Sequence, residues 1–288
     1  MSRAFPGMLY ARSWYLDTVA AGWEALVLDD YRAVFPLCVR RKWGVAYLYQ
    51  PPFCQQLGIF SSETDEAIVR GFLDAIPSPY RWVDIHLNSK NRLTLLYPGE
   101  TISEKPNYRL SLTGTGEEIR SGFHAQARRN LKKAIKQGLF PTAKTGVREV
   151  INIYISHISK KVQGIGSNEI KIFERLAETG AERQALEVAG IADPAGALCA
   201  GAVFFREKQT LYYLMGAANE KGRSANATSL LFADLIDRYA GSGIVLDFEG
   251  SSIPGIARFY KDMGAAEAPY FHYRRNRLPF PFNLLKNK

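Results

Sequence analysis

The sequence contains few of the residues that form disulfides or bind metal ions. Its three cysteines, Cys38, Cys54 and Cys199, are odd in number and widely spaced, and its four histidines are equally scattered. This usage excludes a disulfide framework and shows no spacing typical of a metal site. We therefore expect the cysteines to be small buried residues of a protein from a reducing compartment, and we predict a cytoplasmic, metal-free protein.

A long apolar run is also absent. No window approaches the roughly 18 consecutive apolar residues that a membrane span requires, and the first seven residues, Met-Ser-Arg-Ala-Phe-Pro-Gly, do not form a secretory signal. The composition, 47% hydrophobic and 23% charged, is close to the average for globular proteins and predicts a substantial core. The formal net charge of +9 favours polyanionic partners: nucleic acid, nucleotide phosphates or an anionic membrane face.

The order of predicted elements occurs twice along the chain. The first half reads as a hairpin at 23–40, a strand at 45–49, a helix at 64–76 and a strand at 82–87. The second half reads as a hairpin at 183–205, a strand at 210–215, a helix at 224–239 and a strand at 244–248. Between them, residues 101–116 are rich in Pro, Gly, Ser and Thr and enclose a predicted strand at 108–112. We predict two domains, 1–105 and 106–288, with the tail 276–288 packing back on the first.

Three segments of the second half carry a resemblance to a known family. They are Ala127-Arg-Arg-Asn-Leu-Lys-Lys-Ala-Ile-Lys-Gln-Gly-Leu, Tyr213-Leu-Met-Gly-Ala-Ala, and Leu246-Asp-Phe-Glu-Gly followed by Ile256-Ala-Arg-Phe-Tyr-Lys-Asp-Met-Gly-Ala. With the order of elements, they resemble the GNAT N-acyltransferase fold, and the tandem arrangement is similar to the Fem family of peptidoglycan-bridge aminoacyltransferases. The resemblance implies an α+β chain of two GNAT-like domains, each a mostly antiparallel twisted sheet flanked by helices.

The first of these segments is strongly basic. No acidic residue occurs from Ile119 to Arg148, and a helix over this region places Arg128, Lys132 and Lys136 four residues apart, with Arg129 and Lys133 beside them. Phe123, Ala127, Leu131 and Ala134 fall on the opposite, apolar side. Like charges on one face repel. The face is therefore either a solvated surface or a phosphate-binding one, and the candidates for phosphate are Arg128, Arg129 and Lys132.

In the GNAT family, the strand similar to residues 212–215 diverges from its neighbour. The resemblance implies that backbone amides near Leu214 and Met215 hold the acyl carbonyl, and that the next helix N-terminus holds a pyrophosphate. The loop here supplies a second group of phosphate-binding candidates: Lys221, Gly222, Arg223, Ser224 and Asn226. Gly222 is expected to permit a sharp turn, and Ser224 or Asn226 to cap the helix. The loop departs from the family's coenzyme A loop in having one glycine and an acid, Glu220.

Four residues are candidates for proton transfer. Asp247 and Glu249 are two apart on a predicted strand and would share one face, where either could deprotonate an attacking amine or hold the following loop. Tyr260-Lys-Asp-Met-Gly264 resembles the acetyltransferase helix whose tyrosine protonates the leaving thiolate. Fem enzymes typically have lysine at that place, whereas Lys261 follows one position later, about 100° around the helix.

These residues predict an N-acyltransferase that uses an acyl thioester, acyl-CoA, to modify a primary amine without a covalent enzyme intermediate. The alternatives are an aminoacyl-tRNA-dependent enzyme acting on a cell-wall precursor, and a non-catalytic GNAT fold that binds nucleotide or nucleic acid. The acceptor is a small molecule or a cell-wall-precursor amine. The first domain is expected to be catalytically silent and to lie on the acceptor side, because Pro51 and Pro52 remove amide donors from its corresponding loop.

Overall fold

The computed structural model of the protein describes residues 8–42, 44–63, 65–157, 166–250, 252–280 and 282–283. The chain forms two compact units. The first comprises the residues up to Pro106 together with those from Ala268 onward, and the second comprises Asn107–Glu267. No helix among the described residues is both long enough and apolar enough to cross a membrane.

The strands of both units are numbered along the chain. They are β1 (Glu24–Leu28), β2 (Ala33–Leu37), β3 (Val39–Lys42), β4 (Val45–Tyr49), β5 (Phe60–Ser61), β6 (Trp82–Leu87), β7 (Glu100–Lys105), β8 (Tyr108–Ser111), β9 (Phe140–Thr142), β10 (Leu186–Ala192), β11 (Leu198–Glu207), β12 (Thr210–Ala218), β13 (Val245–Asp247), β14 (Ala266–Glu267) and β15 (Tyr270–Asn276).

The helices connect and cover these strands. They are α1 (Ser13–Val19), which follows a short 3-10 turn at Leu9–Ala11, α2 (Glu66–Asp74), α3 (Gly116–Ser121), α4 (Ala125–Lys136), α5 (Val147–His157), α6 (Ser167–Glu182), α7 (Glu220–Ser224), α8 (Ala227–Tyr239) and α9 (Pro254–Asp262).

The first unit is built on a five-stranded sheet in the order β3-β4-β6-β15-β7, beside a three-stranded sheet β1-β2-β5. Alternating residues of β6 face the core, where Val83, Ile85 and Leu87 are buried. Helix α2 covers this face, and the Asp65 side chain accepts a hydrogen bond from the Ile68 amide at its first turn. The unit therefore has its own hydrophobic core.

Strand β15 differs from the predicted domain division. The sequence predicts a domain boundary at about residue 106, within the segment 101–116; the two units divide after Pro106, and Glu100–Lys105 forms β7 of the first unit. Residues from 268 onward were assigned to the second domain, whereas β15 inserts between β6 and β7 of the first unit, with Tyr273 opposite both Ile85 and Ile102. Pairing on both edges explains why this stretch belongs to the first unit. In the predicted tail 276–288, the side chain of Asn276, the last residue of β15, donates to the Asn283 carbonyl at 2.9 Å. Residues 281 and 284–288 of this tail lie outside the described residues.

The second unit contains a seven-stranded sheet in the order β14-β8-β13-β12-β11-β10-β9. All its pairs are antiparallel except β12 with β13. Helices α5 and α6 pack against β10, β11 and β12, and α8 packs against the same strands and against α4. The core includes Phe204, Phe232 and Phe248. The Phe232 ring contacts Phe204 edge-on and Phe248 in a tilted arrangement.

Both units contain the predicted order of hairpin, strand, helix and strand. The last two strands are parallel in each, Tyr47 being opposite Trp82 in the first unit and Thr210 opposite Val245 in the second. The sequence-based fold class is confirmed: mixed sheets flanked by helices, in two tandem units.

Candidate active site

The sheet of the second unit opens between β12 and β13. The two strands pair only at Thr210, Leu211 and Tyr212, although β12 continues to Ala218 against β11. On β12, Tyr213 is opposite Phe204 and Met215 is opposite Val203, so Leu214 is an extra residue in a β-bulge. Leu214 and Met215, the predicted holders of an acyl carbonyl, thus lie where the strands separate. Their side chains do not line the cleft described next, so the predicted role depends on their backbone.

Beside this opening is a cleft of about 320 Å³. Its apolar lining side chains are Tyr213, Phe232, Ile256, Phe259 and Tyr260, and its polar lining side chains are Asn130, Arg223, Asn226, Thr228 and Ser229. The glycines Gly222 and Gly255 complete the lining. No carboxylate belongs to the lining formed by the described residues. A cleft that combines an aromatic and aliphatic wall with polar groups is typical of a small-molecule site.

The N-terminus of α8 lies at this cleft without a side-chain cap. Asn226 precedes the helix in a left-handed conformation, with φ 60° and ψ 38°, and its side chain makes no capping hydrogen bond. The positive end of the helix dipole at Ala227 and Thr228 suits an anionic group. Arg223 lines the same cleft, with its Nη1 donating to the Ala218 carbonyl at 2.7 Å. Two of the predicted phosphate ligands, Arg223 and Asn226, therefore line the same cleft, and their binding of phosphate stays a prediction.

Gly222 and Ser224 have structural roles that differ from the predicted ones. The predicted loop contains a helix, α7, capped by Asn219, whose side chain accepts from the Gly222 amide at 2.8 Å. Gly222 is needed for close packing and not for a sharp turn, because a Cβ there would collide with the Cys199 carbonyl. Ser224 caps nothing, since its Oγ donates to the Lys221 carbonyl at 2.9 Å. Neither residue offers its polar group to a phosphate in this arrangement.

Lys221 is directed away from the cleft. Its ammonium group forms an ion pair with the buried carboxylate of Asp193, which holds the pKa of Asp193 below and that of Lys221 above its ordinary value. Asp193 also accepts from the backbone amides of Ala195 and Ala197, so it anchors the β10–β11 turn. The prediction that Lys221 binds phosphate is corrected, because its charge is already neutralised at this turn.

Tyr260 of α9 lines the cleft and is 5% exposed. Its ring stacks on Phe248 with centroids 4.5 Å apart, and the Tyr108 ring lies 6.0 Å away. Burial, and then the neighbouring Tyr213 and Glu249, raise the pKa of Tyr260 well above its usual value. The phenol is therefore protonated at neutral pH, and the same shift makes it a weaker acid than an exposed tyrosine.

Asp247 and Glu249 do not share a face as predicted. The strand ends at Asp247, and Glu249 adopts a left-handed conformation with φ 58°, which breaks the alternation. Asp247 is fully buried and accepts from Arg109 Nε at 2.6 Å and from the Glu249 amide at 3.0 Å. These bonds make it an anchor of β13 and unsuited to be a base. Glu249 is half-buried and close enough to affect the Tyr260 hydroxyl electrostatically.

Lys261 is on another side of α9. Its ammonium group forms an ion pair with Glu267 and lies 5.6 Å from the centre of the Tyr108 ring. The ion pair raises the pKa of Lys261. Lys261 is not among the cleft residues, which agrees with the expectation that it cannot take over the place of Tyr260.

The predicted basic helix is two helices. Thr115 and Glu118 form a capping box for α3, and residues Gly122 to His124 separate it from α4. Phe123, Ala127 and Ala134 are buried against the core, as their spacing indicates. Arg129, Lys132, Lys133 and Lys136 are exposed, and within the described residues none of them forms an ion pair. Arg128 is also exposed, with its guanidinium bonded to the Phe123 carbonyl.

The sequence analysis gave a site role to four of the twelve cleft residues, and Asn130 and Tyr213 are among the eight that it missed. Asn130 lies on α4 among the basic residues, and its Oδ1 accepts from Gln126 at 2.8 Å. Tyr213 belongs to a segment that carried the resemblance, but its side chain had no assigned role. The available signal was Gly216, three residues after Tyr213 on the same strand, because a glycine there leaves room for the Tyr213 ring to pack on the backbone. Among the described residues, no group of three or more His, Cys, Asp or Glu side chains could hold a metal ion.

Comparisons with known proteins agree with this architecture. A family model for the acetyltransferase (GNAT) domain matches residues 121–268, and the chain belongs to this family. A search of curated sequences finds no match. Among solved structures, the chain is similar to FemX, with TM-score 0.67 and 13% identity over 99% of this chain and 96% of FemX. It is also similar to the C-terminal domain of a protein from Agrobacterium fabrum described as a lysylphosphatidylglycerol synthetase. That match has TM-score 0.57 and 10% identity, over 91% of this chain and 85% of the other.

A third similar structure is L-PGS from Bacillus licheniformis, with TM-score 0.54 and 10% identity over 94% of this chain and 88% of that one. At such identities the likeness is one of fold. The family match thus identifies residues 121–268 as an acetyltransferase (GNAT) domain, and FemX shares the fold of nearly the whole chain.

Proposed function

We propose that this protein is an N-acyltransferase that transfers an acyl group from an acyl thioester, such as acyl-CoA, to a primary amine. The observation that carries this proposal is the cleft beside the β12–β13 opening, which joins a protonated tyrosine, an uncapped helix N-terminus and an arginine. The helix terminus and Arg223 suit the phosphates of the donor. The aromatic wall suits its uncharged acyl and thioester part.

The reaction is a direct attack of the amine nitrogen on the thioester carbonyl. Glu249 accepts the proton of the amine, through a water molecule, as the C–N bond forms. Backbone amides at the Leu214 bulge stabilise the oxyanion. As the C–S bond breaks, the Tyr260 hydroxyl gives its proton to the departing sulfur, and the proton held by Glu249 returns to Tyr260 through water, so that the products are an amide and a free thiol. Asp247, assigned as an alternative base by sequence, serves this scheme only by holding β13.

The donor class follows from the charge of the cleft. An aminoacyl donor carries an α-ammonium group whose desolvation requires an acidic partner. The lining formed by the described residues contains one cation, Arg223, and no carboxylate, and Glu249, outside this lining, is assigned to the attacking amine. This favours an uncharged or anionic acyl group.

Aminoacyl-tRNA is a second candidate donor, favoured by the exposed basic residues of α4. These residues suit phosphates, and the fold is that of FemX. Under this alternative the acceptor is a cell-wall precursor or a lipid.

The first unit is proposed to be catalytically silent and to serve the acceptor. In the first unit, β4 and β6 correspond to the strands β12 and β13 that separate in the second unit. Residues that follow β4 pair with the end of β6 at this place. The Gln50 side chain accepts from the His86 amide at 2.8 Å, and Leu57 donates to the His86 carbonyl at 2.7 Å. Leu57 also forms a parallel bridge with Leu87. With these groups paired, the backbone between β4 and β6 is not open in the way that the backbone beside β12 is.

The test is transfer by the purified protein with a panel of acyl-CoAs, a panel of primary amines and, separately, charged tRNA. Release of free thiol and the mass of the acylated amine are measured. The proposal predicts transfer from acyl-CoA that is lost in Tyr260→Phe. Transfer from charged tRNA alone would establish the second candidate. Tight binding of a nucleotide without transfer from either donor would favour a non-catalytic role.

A further inference from the structure

Tyr213 has a special position in the cleft. Among the lining residues it alone comes from a strand, while the others come from α4, α7, α8, α9 and the residue before α8. The Tyr213 ring is thus the part of the lining that the sheet contributes, and we call this side of the cleft its floor. The ring centre is 5.4 Å from Phe204 and 5.2 Å from Phe232, so neighbouring aromatic residues hold it in place.

The hydroxyl end of Tyr213 packs on Gly216 of the same strand. A Cβ at residue 216 would collide with the Tyr213 hydroxyl and ring atoms, so the glycine creates the space that the tyrosine occupies. Burial raises the pKa of Tyr213 above its usual value, which keeps the phenol neutral. Tyr213 thus fills the space that Gly216 leaves. A smaller side chain at residue 213 would leave this space empty.

The reacting carbonyl of the proposed donor is adjacent to this floor. Leu214, the bulged residue, follows Tyr213 directly, and Tyr260 borders the same cleft. An acyl chain whose carbonyl is held at the bulge would lie next to the Tyr213 ring, because Tyr213 directly precedes the bulged residue and lines the cleft. We infer that Tyr213 is a specificity-determining residue that restricts the protein to short acyl groups. This inference depends on the proposed thioester donor, and it adds the size of the acyl group.

Binding of acetyl-, butyryl- and hexanoyl-CoA, measured by calorimetry, tests the inference. The unmodified protein should gain no affinity from acetyl to hexanoyl, because the added methylenes find no space. Tyr213→Ala should gain up to about four-fold per added methylene, the value for burying one CH₂. Tyr213→Phe keeps the ring and should behave as the unmodified protein. Tyr213→Leu retains more of the packing with Phe204 and Phe232 and should give an intermediate gain if the alanine variant does not fold.

The outcomes separate the two proposals. If the unmodified protein binds acyl-CoA with affinity that rises steadily to hexanoyl, Tyr213 does not limit the acyl group and the inference is wrong, while the thioester proposal stands. The same holds if folded Tyr213→Leu binds the series as the unmodified protein does. If no acyl-CoA binds to any variant, the thioester proposal fails and the inference fails with it.

Discussion

Arg109 Nε donates to Asp247 Oδ2 at 2.6 Å, and the two residues are directly opposite each other on β8 and β13. Asp247 is fully buried, whereas a third of the Arg109 side chain is exposed. The pair raises the pKa of Arg109 against the opposing effect of burial. Because β13 has only three residues, this bond fixes it to β8 at the point where β12 diverges on its other side. The opening of the sheet therefore lies beside a buried pair that holds β13 to β8.

Replacing Asp247 with Asn should lower stability, because it leaves the buried end of Arg109 without a counter-charge. We expect a loss of about 3 kcal/mol in the free energy of unfolding, measured by urea denaturation.

Glu249→Gln removes a half-buried carboxylate and should leave stability within about 1 kcal/mol, while turnover falls by roughly 10²-fold or more. A stable but inactive Asp247→Asn variant, together with an active Glu249→Gln variant, would reverse these assignments.

Removing the Tyr260 hydroxyl should affect turnover and leave the fold intact. Tyr260→Phe keeps the stack on Phe248, so the melting temperature should change little, while kcat with an acyl thioester falls by about 100-fold. Because the pKa of Tyr260 is raised well above 10, its ionisation should not shape the activity profile between pH 6 and 9.

The matched control for this substitution is Tyr239→Phe. Tyr239 bonds to Glu187 away from the cleft, with a pKa raised to about 12 by burial and then by that carboxylate. Its loss should leave kcat unchanged. Equal kcat values for the Tyr260→Phe variant and the unmodified protein would remove Tyr260 as the acid.

Sequence reasoning predicted the architecture better than the site. The alternation in β6 and the apolar face of α4 depend on local periodicity, which the order of residues contains. The position of Asp247 depends on Arg109, 138 residues earlier, and no local pattern reveals that partner. Likewise, Lys221 looked like a phosphate ligand because Asp193 becomes its neighbour only through folding. Strand β15 was missed because its place in the first unit is set by distant pairing.

The first unit should lose stability in acid through His86. Burial, with the charges of His272 and Lys105, lowers the pKa of His86 to about 4 from 6.5. The folded state then binds fewer protons than the unfolded state, so this contribution is fully present above pH 6.5 and is lost as the pH falls towards 4. The shift corresponds to about 3 kcal/mol.

Urea denaturation of the unmodified protein and of His86→Gln between pH 4 and 7.5 measures this effect. The variant should show a shallower fall, and His157→Gln, in the second unit, should match the unmodified protein. The other charged groups facing His86 are Asp84, which favours its protonation, and the Asp84-bound His272. Identical pH profiles for the unmodified protein and His86→Gln would exclude His86 as the source of acid sensitivity.

The exposed basic residues of α4 should contribute to donor binding through phosphate contacts. Arg129, Lys132 and Lys133 project from one helix without ion pairs among the described residues. Replacing all three with Gln should weaken binding of a polyanionic donor and reduce the slope of log K against log salt by roughly 0.7 to 0.9 for each lost contact. The control is Lys171→Gln with Arg175→Gln on α6, which removes two exposed positive charges and is compared with the Lys132→Gln, Lys133→Gln double variant of α4.

Measuring the α4 variant with both acyl-CoA and charged tRNA distinguishes the two candidate donors. Acyl-CoA is held chiefly by Arg223 and the α8 terminus under our proposal, so the α4 variant should change its salt slope by at most one contact. A loss of several contacts seen only with tRNA would identify α4 as the nucleic-acid surface of the second candidate. If the α4 variant and the α6 control have the same affinity and slope with both donors, the basic residues of α4 are an ordinary solvated surface.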